Sequence, residues 1–340
     1  MPKLILVTGA TGKQGRALIQ ALRLGDIEAT STEPEFHVWA LTRTVSSPGA
    51  NQIAAHNVRH VTVVPGNLDS PETVRKLFED AKRGRGGIWG VFCVLAFPGL
   101  GANADGEEKQ GKTLADISAE YGVSCFVYSS VERGGEYNDE NAQLDRCAKV
   151  MIERHVRGLG DSKGLPWTIL RPGFFMENYD GAIGSVAVGV LKNGLKPTTT
   201  NQLVAVDDIG QVAAAIFKSP ANYTSQILLV SGEASTMTEQ QDSYKRATGK
   251  DLPSIPGFLA RPLIALNSHT KALIADIERV HEAGLSGKCP EVADQTAAAR
   301  RAHPGMKTFE AWARQRAGKA PLEDRNWNQL SIGRLATGKQ

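Results

Sequence analysis

Leu4-Ile5-Leu6-Val7-Thr8-Gly9-Ala10-Thr11-Gly12-Lys13-Gln14-Gly15 is the stretch on which the reading of this chain turns. Leu4 to Thr8 is an aliphatic, β-branched run of the kind that forms a strand covered on both faces. Three glycines follow at once, and Arg16 to Leu22 then carries apolar residues at helical spacing. Strand, glycine turn and helix in that order make a phosphate-binding unit. Gly9 allows a sharp turn off the strand, Gly12 lets a pyrophosphate approach the backbone, and Gly15 lets the helix pack closely on the sheet. Thr11, Lys13 and Gln14 complete the loop, where the helix N-terminus offers unpaired N–H groups and partial positive charge to an anion. The spacing is G-x-x-G-x-x-G rather than G-x-G-x-x-G. A ligand-free tight turn could use the same glycines, but their place directly after a strand at the extreme N-terminus favours a dinucleotide.

Outward from this unit, strands are expected at 36–42, 60–65, 90–97, 125–130 and 167–171, the last stopped by Pro172. Helices separate them: one opened by Ser70 as N-cap and Pro71, one over 107–121 closed by Gly122, and one over 142–156. Residues 25–35 form an unusually long connection. Strands alternating with helices predict an α/β fold, a doubly wound parallel sheet of the Rossmann type. Ligands bind such sheets at the carboxyl ends of the strands. That rule nominates Gly9 to Gly15, Arg43, Asn67, Leu68, Phe97, Pro98 and Ser129 to Glu132 as the rim of a site. Beyond Pro172 the alternation fades: 196–200 reads as a loop, while 204–217 and 227–230 read as a helix and a strand returning to the sheet. The expected organisation is a dinucleotide-binding domain over 1–172, rejoined by 203–231. A smaller substrate or interaction lobe takes 173–202 and 232–317, including helices at 238–248 and 303–317, and a polar tail follows over 318–340.

Composition narrows the function. Across 340 residues, 41% hydrophobic and 22% charged content is ordinary for a globular chain, and 39 basic against 36 acidic residues leave only +3. That balance gives no electrostatic footprint for nucleic acid. No secretory leader is expected before the first strand, and the most apolar stretch, 88–100, is too short and glycine-broken to span a bilayer. The four cysteines form no C-x-x-C pair, and His56 and His60 lack the glutamate of H-E-x-x-H, so no metal site is expected. The expectation is a reduced cytoplasmic protein, or a nuclear one if it is a regulator.

The cofactor follows from strand 36–42. An acid about twenty residues past the glycines would hold a ribose 2′-hydroxyl, but Glu33 and Glu35 precede this strand and lie at the wrong edge. Arg43 follows it. A guanidinium there can pair with a 2′-phosphate and stack on adenine, which favours NADP(H) over NAD(H).

Several motifs, taken together, carry a resemblance. They are the Gly9–Gly15 turn, Leu41-Thr42-Arg43, Gly66-Asn67-Leu68-Asp69, Tyr128-Ser129-Ser130, Leu170-Arg171-Pro172-Gly173, Val206-Asp207-Asp208-Ile209-Gly210 and the segment from His303-Pro304 to Trp312. In this order and spacing the chain, over roughly residues 3 to 317, resembles the NmrA-like family of atypical (extended-type) short-chain dehydrogenases. The resemblance implies an extended Rossmann fold binding NADP(H). It leaves function open, because that family holds both reductases, some in secondary metabolism, and regulators that bind NADP without turnover.

Short-chain dehydrogenases use a tyrosine four residues before a lysine: the lysine holds nicotinamide-ribose hydroxyls and lowers the tyrosine pKa. Lys149 matches that lysine and is the candidate catalytic and cofactor-binding residue, but Asp145 stands at the tyrosine position. An ordinary aspartate, with a pKa of about 3.9, is a poor proton donor at neutral pH, and a lysine one turn away would depress it further. Asp145 and Lys149 also fit a plain surface ion pair. Tyr128, inside a strand, and Tyr137, in a loop over the expected site, are the other hydroxyls. Some relatives reduce substrates with the lysine and no tyrosine. Ser130 could orient a carbonyl, and Phe174, Phe175, Met176 and Tyr179 could line an aromatic pocket or simply pack a core. Two functions are compatible with this reading. One is NADPH-dependent reduction of a small aromatic or polyketide-like carbonyl or quinone; the other is an NADP(H)-binding redox sensor acting on a protein partner. Oligomeric state stays open.

Overall fold

The protein is described here by a computed structural model covering residues 1–28, 34–56, 61–96, 104–142 and 144–319. The first half alternates as expected: β1 (Lys3–Val7), α1 (Lys13–Glu28), β2 (Phe36–Thr42), α2 (Pro48–His56), β3 (Val61–Pro65), α3 (Pro71–Arg85), β4 (Gly90–Cys93), α4 (Asp105–Glu120), β5 (Cys125–Ser129), α5 (Leu144–Lys163) and β6 (Trp167–Pro172). The second half holds β7 (Phe174–Phe175), α6 (Gly181–Gly194), β8 (Thr200–Val204), α7 (Val206–Lys218), β9 (Gln226–Val230), β10 (Glu233–Thr236) and five helices. Those are α8 (Met237–Thr248), α9 (Gly257–Leu266), α10 (Ser268–Leu285), α11 (Glu291–Ala302) and α12 (Phe309–Arg316).

Seven strands form one parallel sheet in the order β3-β2-β1-β4-β5-β6-β9. Its strands are apolar throughout because both faces are covered. Ile5, Val7, Phe36, Val38, Phe92, Val127 and Leu170 face one way, into a core shared with α1, α7 and α11. Leu4, Leu6, Val91, Phe126, Tyr128 and Ile169 face the other, against α3, α4 and α5. At about 25 cal/mol per Å² of apolar surface, these two cores supply the main stabilisation of the domain. On the first face, a Cβ added to Gly210 of α7 would lie 2.4 Å from the backbone of Ala17 in α1, so the two helices touch almost backbone to backbone.

Four expectations are corrected. β4 ends at Cys93 rather than at 97, and residues 97–103 lie outside the described residues. Ser70 occupies the N-cap position of α3, but its hydroxyl donates to Glu72 Oε2 instead of closing the helix end. The stretch read as a loop gives way at Thr200 to β8, which pairs with β7 and β10 in a separate three-stranded sheet. Finally, the range 232–317 is expected in the smaller lobe, yet Ala298 and Ala299 of α11 pack into the core of the main sheet, because their small side chains let the helix lie close over β9. The smaller lobe has its own core of Met176, Tyr179, Val188, Leu203, Phe309 and Trp312.

Candidate functional site

The rim of the site begins with the glycine turn. Gly9 adopts φ +57°, and a Cβ there would also stand 2.9 Å from the Val94 carbonyl oxygen, so only glycine fits. Its carbonyl accepts the Gly12 N–H at 2.9 Å. A Cβ on Gly15 would come 2.5 Å from that same oxygen, whereas one on Gly12 would meet nothing nearer than this oxygen at 3.2 Å. Gly12 is therefore less confined than Gly9 or Gly15, at the start of α1, where the first helical N–H groups have no intrahelical partners. A pyrophosphate fits this arrangement, with Thr11, Gly12, Lys13 and Gln14 around it.

Neighbouring elements brace the turn. Thr8 Oγ1 donates to the Val94 carbonyl and accepts the Val94 N–H, both at 2.8 Å, fixing β1 to the end of β4. Arg16 Nε donates to Thr11 O at 2.8 Å, and Gly49 of α2 lies against Thr11 and Arg16. The segment after β2 thus folds back to the glycine turn, with Arg43 exposed at its start. Next along the rim, the Asn67 side chain accepts the Asp69 N–H in a tight turn, and Leu68 packs beside it on the α3 side. Ser129 Oγ donates to Gln14 Oε1 at 2.6 Å, tying the end of β5 to α1. Phe97 lies outside the described residues.

Lys149 sits in the second turn of α5 with its ammonium ion-paired to Glu107, in the first turn of α4. Both side chains are largely buried, 13% and 2% exposed, so the pair is sheltered from water. Cys93, the last residue of β4, is close enough to feel both charges, and burial pushes its thiol well above the ordinary range. Helices that follow β4 and β5 begin at the carboxyl edge of the sheet, so this pair belongs to the same rim. Asp145 is in the first turn of α5; its side chain lies outside the described residues.

Of the two alternative hydroxyls, one is buried and one is bound to Lys288. Tyr128 is fully buried, and burial, with the nearby Glu107, drives its hydroxyl further from ionisation. Tyr137 is exposed, and its hydroxyl accepts a hydrogen bond at 3.0 Å from Lys288, whose ammonium also lies over the ring. Met176 and Tyr179 are likewise corrected. They are 0% and 3% exposed, and the Tyr179 hydroxyl donates to Gln240 inside the smaller lobe, so they pack that core rather than line a pocket. Phe174 and Phe175 are half-buried beside them.

Sequence reasoning missed the charged cluster behind β5. Glu153 of α5 accepts from the two terminal nitrogens of Arg133, at 2.7 and 2.8 Å, and from two nitrogens of Arg171, at 3.3 and 2.6 Å. Arg133 also binds Asp139 at 2.6 Å. Burial alone would raise Glu153, but the two guanidiniums overcome it and hold the carboxyl at about 2. This cluster clamps the 131–141 loop over β5. Within that loop Glu132 is buried; Gly134 N–H donates to its Oε1 at 2.7 Å, and Arg146 of α5 donates to its carbonyl at 3.0 Å. Of these residues the sequence brings forward Glu132, at the end of the Ser129–Glu132 rim segment, and Arg171, within the Leu170–Gly173 motif, but not their association with Glu153.

Among the described residues no helix is long and apolar enough to cross a membrane. The chain is 24% identical over 277 residues to an NmrA-like family domain-containing oxidoreductase, ptmS, of Penicillium ochrochloron, covering 73% of this chain and 74% of that one. Its fold is similar to the crystal structure of NmrA, a negative transcriptional regulator, with a TM-score of 0.64 at 19% identity over 93% of this chain and 95% of the other. It is also similar to the Citrobacter sp. triphenylmethane reductase complexed with NADP(H), with a TM-score of 0.62 at 17% identity over 92% and 99% of the two chains. The NmrA-like family model matches residues 1–311, and the chain belongs to that family.

Proposed function

We propose that the protein is an NADPH-dependent reductase of a small aromatic or polyketide-like carbonyl or quinone, acting in secondary metabolism. The observation that carries this reading is the shared rim: the glycine turn, least confined at Gly12, and a sheltered Lys149 stand at the same carboxyl edge of one sheet. In this reading the backbone of Thr11 to Gln14 holds the pyrophosphate, Arg43 takes the 2′-phosphate, and Asn67 and Leu68 flank the adenine. Lys149 holds the ribose hydroxyls beside the nicotinamide, with Glu107 fixing the lysine from behind. Phe174 and Phe175, with Ser130, border the space left for the substrate. NADPH, when bound, supplies the hydride. The names of the ptmS oxidoreductase and of the triphenylmethane reductase support the same class of chemistry.

The test is NADPH oxidation, followed by absorbance, with a panel of quinones and aromatic carbonyls. Consumption with at least one compound is expected. If none is consumed while NADPH binds, the second reading takes over: a non-catalytic NADP(H)-binding redox sensor that signals to a protein partner. Asp145 at the tyrosine position favours that reading, as does the similarity of fold to a transcriptional regulator.

A further inference from the structure

The reductase reading lacks a proton donor, since position 145 carries an aspartate and both nearby tyrosines are otherwise engaged or sealed. The extension of β5 offers another. Ser130 N–H donates to Leu170 O and Glu132 N–H to Pro172 O, so the chain stays extended alongside β6 through residue 132. Successive side chains of extended backbone alternate between faces. Tyr128, Ser130 and Glu132 therefore share the face turned to α5, while Ser129 points the other way to Gln14. On that shared face the Tyr128 hydroxyl, the Ser130 hydroxyl and Glu132 Oε2 are all buried and, among the described residues, have no hydrogen-bond partner; Tyr128 lies deepest, within β5, while Ser130 and Glu132 lie beyond the strand end. Buried polar atoms almost always find one, so two orphans in line at the rim of a site indicate groups kept for a ligand.

Position supports the same conclusion. Ser129, three residues before Glu132, contacts the glycine loop through Gln14. Arg146, which binds the Glu132 carbonyl, lies one turn before Lys149 on α5. Glu132 thus lies on the strand extension that is tied at one end to the cofactor turn and at the other to α5, the helix that carries the lysine. We propose that the Glu132 carboxyl donates the proton to the substrate's carbonyl oxygen, with the Ser130 hydroxyl orienting that oxygen.

The proposal rests on the reductase reading. As hydride reaches the carbonyl carbon, the O–H bond of the Glu132 carboxyl breaks and its proton forms the new O–H bond on the substrate. The electron pair left behind makes the carboxylate, which takes a proton back from water after product leaves. The site suits both forms. Burial favours the neutral acid, while Gly134 N–H and the charges of Arg171, Arg133 and Arg146 oppose this without reversing it, so the carboxyl titrates above the ordinary range. The same groups are in place to hold the carboxylate formed during turnover. The Cys289 thiol, which donates to Gly134 O at 2.9 Å, closes the cluster from the segment before α11.

Infrared spectroscopy and turnover of the full chain test this. At neutral pH the wild type should show the carbonyl-stretch band of a protonated carboxylic acid, absent in Glu132→Gln and displaced in Glu132→Asp. With a quinone or carbonyl that the wild type reduces, Glu132→Gln should turn over about 10²–10⁴-fold more slowly. Its NADPH affinity should stay within about twofold, because the acid serves the substrate and not the dinucleotide. Wild-type turnover should also fall on the alkaline side as Glu132 ionises. If Glu132→Gln does not fold, Glu132→Asp replaces it: drawing the acid back by one methylene should still slow turnover at least tenfold, on the scale of a misplaced general acid, about 10²-fold. Wild-type activity with an unaltered Glu132→Gln rate, or with no protonated-acid band traceable to Glu132, overturns the proposal alone. A wild type that binds NADPH but reduces nothing overturns the reductase reading and this proposal with it.

Discussion

Glu153→Gln should be the most destabilising conservative change in the protein. It keeps the shape of the side chain but removes the carboxylate that binds Arg133 and Arg171 together, both of whose side chains are at most 3% exposed. Breaking a buried ion pair by removing one partner costs about 3–5 kcal/mol, because the other charge is left uncompensated. Titration gives a second route to the magnitude. An ordinary glutamate near 4.5 and a folded-state value of about 2 correspond to about 3 kcal/mol of stability at neutral pH. Because the folded-state pKa is the lower one, this stability is fully present above 4.5 and is lost as pH falls through about 2. Urea unfolding at pH 7 should therefore place the variant about 3 kcal/mol below wild type, and by about pH 3 roughly 2 kcal/mol of that gap should have closed. A gap under about 1 kcal/mol at neutral pH, or one that does not narrow on acidification, would refute the account of this cluster.

Other expectations concern the rim. Gly12→Val should fold normally by circular dichroism yet lose NADP(H) binding in calorimetric titration, since its side chain enters the space beneath α1. Gly15→Ala should instead lower the melting temperature, because its Cβ would overlap the Gly9 carbonyl oxygen at 2.5 Å and the Ala10 backbone at 2.6 Å. Arg43→Ala should erase most of the preference for NADP(H) over NAD(H), a lost charge-assisted contact worth about 1.5–3 kcal/mol; equal affinities in the unmodified protein would remove the assignment. With a turned-over substrate, Lys149→Ala should lower kcat by about 10²–10⁴-fold while NADPH affinity drops by only about 1 kcal/mol.

What could be read from the sequence was local or periodic. The glycine turn lies within twelve consecutive residues, and the parallel strands announce themselves by unbroken apolar runs. Lys149 could be placed because helix α5 directly follows β5. Its partner Glu107 could not, because the contact joins two helices packed side by side over forty residues apart in sequence. The strands of the smaller sheet escaped notice for a different reason: Thr200-Asn201-Gln202 is polar, and Asn201 is buried without the apolar alternation that marks a strand. α11 was hidden by its own economy, since a face of alanines packs a sheet closely but gives little hydrophobic signal. Phe174 to Tyr179 was legible as aromatic, but which rings face inward depends on α8 and α12, both distant in sequence.

The contact of Gly210 with Ala17 also sets the order in which the molecule can be made. On a ribosome, β1 and the glycine turn emerge first, yet the helix that carries the turn gains its partner only after α7 has been synthesised. Until then one side of α1, with Leu18 and Leu22, faces water or whatever the nascent chain meets. β9, the last strand of the sheet, emerges later still. Long-range contacts of this kind make folding slow and leave apolar surface uncovered on the way. A fragment ending before α7 should therefore be a client for chaperones and proteases rather than a small dinucleotide-binding domain, although its sequence holds every glycine of the turn.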